Sequence, residues 1–156
     1  MRIGQGIDVH AFGENLARPL ILGGVVLAGA RGLDGHSDAD VVCHAIIDSL
    51  LGAANLGDLG RHFPSTDASL AGVSSLILLE KTMNLLDQAG WEVQSVDVTI
   101  VAQSPQMAHH IPAMAAVLHE RIGVEVSVKA TTTDHLGFLG RGEGIAALSI
   151  ALVEER

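Results

Sequence analysis

Apolar and polar residues recur along this chain with two periods, near two in some stretches and near 3.6 in others, and the switches between them outline its elements. Residues 2–10 read as a first strand. Pro19 to Leu22 and Val25 to Ala28 flank Gly23-Gly24, two short apolar runs around a turn pair, which is a hairpin signal. The Gly- and Asp-rich stretch from Gly32 to Asp38 reads as loop. From Asp40 to Ala54 the residues Val41, Val42, Ala45, Ile46 and Leu50 fall at helical spacing, while Asp40, His44 and Asp48 stack four apart on the other face. Gly57 to Asp67 is irregular, and Ser74 or Ser75 then suits the cap of a helix running to Gln88 and ended by Gly90. Val93 to Ala102 alternates as a strand. Pro105 suits the first turn of a third helix that runs to about Ile122 and stops at Gly123. Val124, Val126 and Val128 alternate with Glu125, Ser127 and Lys129 in a further strand, and Ile145 to Val153 closes the chain as a nearly continuous apolar run.

Strands and helices in this order predict an α/β fold of two layers (α+β), a mixed β-sheet with helices on one face. A strand covered on one face should alternate, and the last one does not. Either both of its faces lie inside one subunit, or the second face meets another subunit; one sheet in one domain favours the subunit interface. Without an internal repeat or a linker, residues 1–156 read as a single domain.

Composition narrows the partners. Hydrophobic residues make up 48% of the chain and charged ones 17%, as in a globular protein with a core packed by Val, Ile, Leu and Ala. A net charge of −9 without a basic cluster argues against a nucleic-acid partner. An anionic substrate would then have to be held by local metal ions or backbone donors. Cys43 is the single cysteine, so an internal disulfide and a cysteine-based zinc finger are excluded, and its apolar helical setting makes it a core residue. The chain opens directly on strand-like residues and has no apolar run long enough for a membrane span, so the expectation is a soluble cytoplasmic protein.

Four polar clusters carry the candidate chemistry. Asp8 and His10, two apart on a strand, point to one side, and His44 would complete a two-His, one-carboxylate set. Three protein ligands leave one tetrahedral zinc position open, the catalytic pattern. Asp40 and Asp48, one helical turn to either side of His44, are placed to orient its imidazole. Gly35-His36-Ser37-Asp38 suits an oxyanion, Gly57-Asp58-Leu59-Gly60 through Asp67 has the composition of a polar-lined pocket wall, and Thr131-Thr132-Thr133-Asp134 could hold phosphate oxygens and a hard cation. His62, His109, His110, His119 and His135 lack consistent spacing and read as surface residues.

Together the clusters resemble one family, the 2-C-methyl-D-erythritol 2,4-cyclodiphosphate synthases of the non-mevalonate isoprenoid pathway. The resemblance covers essentially the whole chain. It is carried by Gly6-Ile7-Asp8-Val9-His10-Ala11-Phe12, Gly35-His36-Ser37-Asp38-Ala39-Asp40 leading to His44, Leu56-Gly57-Asp58-Leu59-Gly60, Asp97 to Gln103, Lys129 to Thr133 and Gly140-Arg141-Gly142-Glu143-Gly144.

The resemblance implies a homotrimer with sheets packed around a three-fold axis and active sites between subunits. It implies a phosphorus–oxygen lyase that converts 4-diphosphocytidyl-2-C-methyl-D-erythritol 2-phosphate to the 2,4-cyclodiphosphate and CMP. By the same resemblance Asp8, His10 and His44 are the zinc ligands, one ion per subunit, and Asp134 helps hold Mg²⁺ or Mn²⁺ with the substrate. His36 and Thr132 stabilise the transition state, and His36 and Ser37 grip a phosphate. Asp58, Leu59, Gly60, Phe63, Pro64, Ser65, Thr66 and Asp67 contact the methylerythritol part. Ala102, Gln103, Ser104, Pro105, Gln106, Met107 and Ala108, with Ala130, Thr131, Thr132 and Thr133, hold cytidine and its phosphates, and Phe138 and Arg141 complete the wall. Arg141 and Glu143 sit near the mouth of an axial cavity where isoprenoid diphosphates bind.

The chain departs from the family's pattern at four positions. Asp134 stands for the usual Glu, His135 for a Lys, Ser65 for an Asp, and Ser74 where Asp-Ser is typical. These departures motivate a second reading, a metal-stabilised trimer that binds isoprenoid diphosphates with weak or no turnover. A zinc phosphohydrolase is a third, weakened by the lack of a clear general base in the loops.

Overall fold

The computed structural model describes residues Met1–Arg156. Four strands form one sheet: β1 (Arg2–Ala11), β4 (Trp91–Val101), β5 (Val126–Thr131) and β6 (Gly144–Glu155). Their order is β1-β6-β4-β5, with β6 antiparallel to both neighbours and β5 parallel to β4, so the sheet is mixed as expected. The predicted hairpin forms its own two-stranded sheet from β2 (Pro19–Leu22) and β3 (Val25–Arg31).

Helices cover one face. The central one, α1 (Val41–Ala54), is buried nearly all round, lying against β1, β6 and β4 on one side and α3 (Ser75–Gln88) on the other. Its approach to β1 depends on missing side chains: a Cβ on Gly6 would lie 2.0 Å from the Ala45 carbonyl oxygen, and one on Gly4 2.0 Å from that of Ser49. A buried hydroxyl pair, Ser49 Oγ to Ser149 Oγ at 3.0 Å, ties α1 to β6. The last helix of this layer, α4 (Ile111–Ile122), packs mainly on β5.

The opposite sheet face is uncovered in the single chain. Ile3, Ile7 and Val9 of β1 and Leu148 and Ile150 of β6 are exposed on it, and Ile150 is 52% exposed. On β6 the other set of alternate residues, Ile145, Ala147, Ser149, Ala151 and Val153, is buried under the helices. Thus the unbroken apolar run has one face in the core and one apolar face in the open, which rules out the first of the two arrangements, both faces inside one subunit.

Two expectations need correction. Pro105 does not begin a helix: Ser104-Pro105 is a cis peptide in a loop, and α4 starts at Ile111 with Pro112 in its first turn. Pro112 fits there because a first-turn residue has no intrahelical N–H bond to lose. The stretch taken as irregular also contains a short helix α2 (Leu59–His62), followed by a 3₁₀ turn at Ala68–Leu70, and a further short helix α5 (Gly137–Gly140) follows the threonine run. These one-turn elements are too short to show a period.

Candidate functional site

The Asp8 carboxylate and His10 imidazole leave β1 on the same side, two residues apart, and α1 brings His44 over them. Asp8 Oδ2 lies 3.1 Å from His10 Nε2 and 2.9 Å from His44 Nδ1, and one ligand atom from each residue falls within 4.8 Å of the others. The remaining ring nitrogens are occupied. His10 Nδ1 donates to the Asp34 carbonyl at 2.5 Å, and Gly35 makes room for that ring, since a Cβ there would lie 2.8 Å from His10 Cε1. His44 Nε2 lies 2.9 Å from Ser75 Oγ and 3.1 Å from Ser37 Oγ. Each imidazole therefore has one nitrogen fixed by a partner and the other turned to the shared point, the donor arrangement of a protein metal centre.

The electrostatics agree. Burial alone would push the Asp8 carboxyl up, but hydrogen bonds and charge from His10 and His44 outweigh it and hold it well below the usual carboxylate range. The Asp8 hydrogen bond raises the His10 imidazole above its ordinary value against the opposing effect of burial. A carboxylate that stays ionised among imidazoles is a ready cation ligand. Two imidazoles and a carboxylate with one side open to a pocket are a donor set that suits zinc.

That pocket, of about 180 Å³, is lined by the three residues together with His36, Ser37, Leu59, Phe63 and Ser65, and closed at the back by Leu70, Val73 and Leu78. His36 Nε2 donates to the Asp67 carbonyl at 2.9 Å, which leaves Nδ1 for a ligand. Asp58 and Asp67 do not line the pocket; they cap short turns, Asp58 accepting from Arg61 N–H and Asp67 from the Ser69 N–H and hydroxyl. Of the expected methylerythritol wall, Leu59, Phe63 and Ser65 line the pocket, and Gly60, Pro64 and Thr66 do not.

Asp40 is a correction. Fully buried, it is the N-cap of α1, and its carboxylate accepts the Gly23, Gly24, Val42 and Cys43 N–H groups, pinning the hairpin turn to the helix instead of touching His44. Burial pushes its carboxyl up, and it does the same more strongly to the Cys43 thiol beside it, an inert core group as expected. Asp48 is likewise engaged elsewhere, accepting the Leu59 N–H at 2.7 Å, so it sets the entry to α2 and reaches His44 only through its charge. The groups that do meet His44 are Ser37 and Ser75, and Ser75 had read only as a helix cap. Its hydroxyl donates to Asp38 Oδ1, and Asp38 Oδ2 accepts the Ser75 N–H at 2.9 Å. The sequence signal for Asp38 was its place in the His-Ser-Asp loop; none pointed to Ser75, 31 residues from His44.

A second region lies where β4 and β5 end side by side. Ala102, Gln103, Pro105, Gln106, Met107, Ala108, Ala130, Thr131 and Thr132 line a cleft of about 420 Å³ with Ile111. Ser104 faces a neighbouring cleft instead, with Phe12 and Arg31. Beyond β5 the chain turns through Asp134 and His135, both in the left-handed region at φ 50° and 65°. There Thr132 Oγ1 accepts the Asp134 N–H at 3.2 Å and donates to Asp134 Oδ1 at 3.3 Å, and Gln103 Oε1 accepts the His135 N–H. Asp134 is exposed and lies outside the Asp8, His10, His44 group. Phe138 and Arg141 are exposed beyond it, and Arg141 pairs with Glu143 at 2.7 Å. Neither of these two cavities takes lining residues from both regions.

The remaining histidines line neither cavity. His62 donates to the Leu56 carbonyl and His119 to that of Val124, while His109 and His110 stack on each other. No helix is long and apolar enough to cross a membrane.

Comparison with known proteins identifies the family. The YgbB family model matches residues 1–154. The 2-C-methyl-D-erythritol 2,4-cyclodiphosphate synthase of Thiobacillus denitrificans is 56% identical over 157 aligned positions, covering 99% of this chain and 97% of that protein. Among solved structures, the bifunctional IspDF of Campylobacter jejuni superposes with a TM-score of 0.94 at 40% identity, over 99% of this chain and 42% of that one. The CDP complex of IspF from Plasmodium falciparum superposes with a TM-score of 0.85 at 28% identity, over 99% and 96%. The chain belongs to the YgbB family, whose members matched here are 2-C-methyl-D-erythritol 2,4-cyclodiphosphate synthases.

Proposed function

We propose that this chain is a cyclodiphosphate synthase, an enzyme that closes 4-diphosphocytidyl-2-C-methyl-D-erythritol 2-phosphate into 2-C-methyl-D-erythritol 2,4-cyclodiphosphate with release of CMP. An oxygen of the substrate's 2-phosphate attacks the β-phosphorus, the bond from that phosphorus to the bridging oxygen breaks, and CMP leaves with the bridging oxygen. The nucleophile comes from the substrate, so the protein's work is positioning and charge stabilisation. The observation that carries the reading is the convergence of Asp8 Oδ2, His10 Nε2 and His44 Nδ1 on one point at the end of a pocket.

Asp8, His10 and His44 would hold zinc, which when bound supplies positive charge and an open position for a phosphate oxygen. Ser37 and His36 Nδ1 face the same pocket and would donate to that phosphate. Thr132, at the mouth of the other cleft, would donate to the diphosphate, and the backbone of residues 102–108 would receive cytidine. That a family member from P. falciparum is solved as a CDP complex supports a cytidine nucleotide as ligand. Asp134 belongs to no cluster of three or more potential ligands, so Mg²⁺ or Mn²⁺ would take most of its ligands from the diphosphate and water.

Because the pocket at Asp8, His10 and His44 and the cleft at Thr132 have no lining residue in common, the complete site would form between neighbouring subunits. The exposed apolar face of β1 and β6 supports a homotrimer packed through its sheets, a heterologous ring in which each interface completes one site. Arg141 and Glu143 would then stand near the axis, where an isoprenoid diphosphate would meet the guanidinium. The test is incubation of zinc-loaded protein and Mg²⁺ with the CDP-methylerythritol 2-phosphate substrate, followed by phosphorus NMR. CMP and the cyclic product in equal amounts support the synthase. A linear diphosphate means hydrolysis, and binding without CMP means a carrier; either contradicts the proposal.

A further inference from the structure

Beyond the three ligand residues, a short relay runs away from the metal corner, from His44 to Ser75 to Asp38. His44 and Ser75 are buried, and Asp38 is half-buried. The direction of its hydrogen bonds follows from proton counting. Asp38 as a carboxylate can only accept, so the single Ser75 hydroxyl proton goes to Asp38 Oδ1. Ser75 Oγ then presents lone pairs to His44 Nε2 at 2.9 Å, and that nitrogen must carry the hydrogen. His44 Nδ1, the nitrogen turned to Asp8 and His10, hydrogen-bonds to Asp8 in the metal-free chain and is the one a cation between them would take.

We propose that Asp38 and Ser75 are positioning residues that hold His44 in the Nε2–H tautomer, so that its Nδ1 is the metal-binding atom. The relay also sets Ser37. Its Oγ accepts the Ala39 N–H at 3.2 Å and lies 3.1 Å from the same His44 Nε2–H, so its own proton is free to point into the pocket, toward an anionic group. One carboxylate thus directs a lone pair to the cation and a donor to the anion. Asp38 is held in place for this: its N–H donates to the Val73 carbonyl at 3.0 Å, while the Gly72 N–H donates to the His36 carbonyl. This inference rests on the metal reading of Asp8, His10 and His44.

Two variants test it. Ser75→Ala removes the hydroxyl but keeps the residue-75 N–H on Asp38, so α3 retains that cap; zinc affinity should fall about 10–100-fold. In Asp38→Asn the shorter bond from the Ser75 N–H, 2.9 Å against 3.2 Å from the Asp40 N–H at the other oxygen, keeps the amide oxygen on the Ser75 N–H, which turns its NH₂ to the Ser75 oxygen and reverses the relay. Ser75 would then donate to His44 Nε2 and drive the hydrogen to Nδ1. The measurements are zinc affinity by chelator competition, thermal unfolding as the control for fold, and ¹⁵N shifts of the His44 ring in metal-free protein. The native ring protonated at Nε2, with Asp38→Asn shifted to Nδ1 and binding zinc more weakly, supports the relay. Native zinc affinity and an unchanged tautomer in both variants overturn it and leave the metal reading standing. A native protein that binds no zinc while His44 keeps its Nε2–H overturns the metal reading but not the relay's geometry.

Discussion

The metal corner and the threonine turn are built in opposite ways. Asp8, His10 and His44, with Ser37, Asp38 and Ser75 behind them, are at least half-buried, and both nitrogens of the His10 and His44 rings have a partner or a shared target. Around Thr132 and Asp134 the side chains are exposed and bond mainly to each other. Such a contrast separates a preorganised binding point from a surface that becomes a site only when something is laid against it. Holding a small cation requires fixed donors, since misplaced ligands lose affinity steeply. Receiving a nucleotide largely through backbone does not require buried side chains.

The largest effect should come from removing the central ligand. His44→Ala should abolish tight zinc binding and lower turnover by about 10³-fold or more, with the fold retained, as read by metal analysis and CMP release. A variant with native zinc content and rate would break the assignment of the corner. On the other side of the comparison, Thr132→Ala should slow turnover by roughly 10²-fold and leave zinc content untouched. Loss of zinc in that variant would mean that the two regions are not separable.

Gly6→Ala probes what holds the corner together. Its Cβ would meet the Ala45 carbonyl at 2.0 Å, forcing α1 off β1 and moving His44 away from Asp8 and His10. The expected cost is about 1–3 kcal/mol of stability, seen as a lowered Tm, together with weaker zinc binding. Unchanged Tm and affinity would show that the helix–strand approach has slack.

The smallest effect is on pH dependence. In metal-free protein the His10 imidazole is raised above its ordinary 6.5 by Asp8, so its contribution is full below that value and fades as pH rises through the raised one. The Asp8 carboxyl is depressed, so its contribution is present above the ordinary carboxylate value of 3.8 and is lost only in stronger acid. Metal-free protein should therefore be most stable between these limits and lose a little stability above neutrality. Zinc, which needs the neutral ring, should remove the upper loss. Thermal unfolding across pH with and without zinc is the check, and identical profiles would contradict it.

The metal corner was partly legible in the sequence and its supports were not. Asp8 and His10 are two apart on a strand, a relation the period of two makes visible, and α1 showed itself by spacing. Asp40 misled because a helix-periodic position one turn before His44 looks like a neighbour, whereas N-cap geometry turns its carboxylate back onto the first-turn amides and the hairpin. Ser75 was hidden because its bond to His44 spans 31 residues and belongs to no period. Pro105 and Pro112 both fit a helix start by composition, and only the tertiary path of residues 102–110 chooses between them. The unbroken apolar run of β6 was the clearest long-range signal, since helices cover only one of its faces and the other stays apolar in the open.

The central claim is that one active site takes its metal corner from one subunit and its threonine turn from the next. Mixing tests this most directly: His44→Ala and Thr132→Ala proteins are unfolded together, refolded as mixed oligomers and assayed for CMP release. With half the subunits of each kind, about one interface in four joins an intact corner to an intact turn, so two nearly inactive parents should recover roughly a quarter of the native rate. Recovery no greater than the average of the parents would mean that each chain's site is complete in itself, and the account would be wrong.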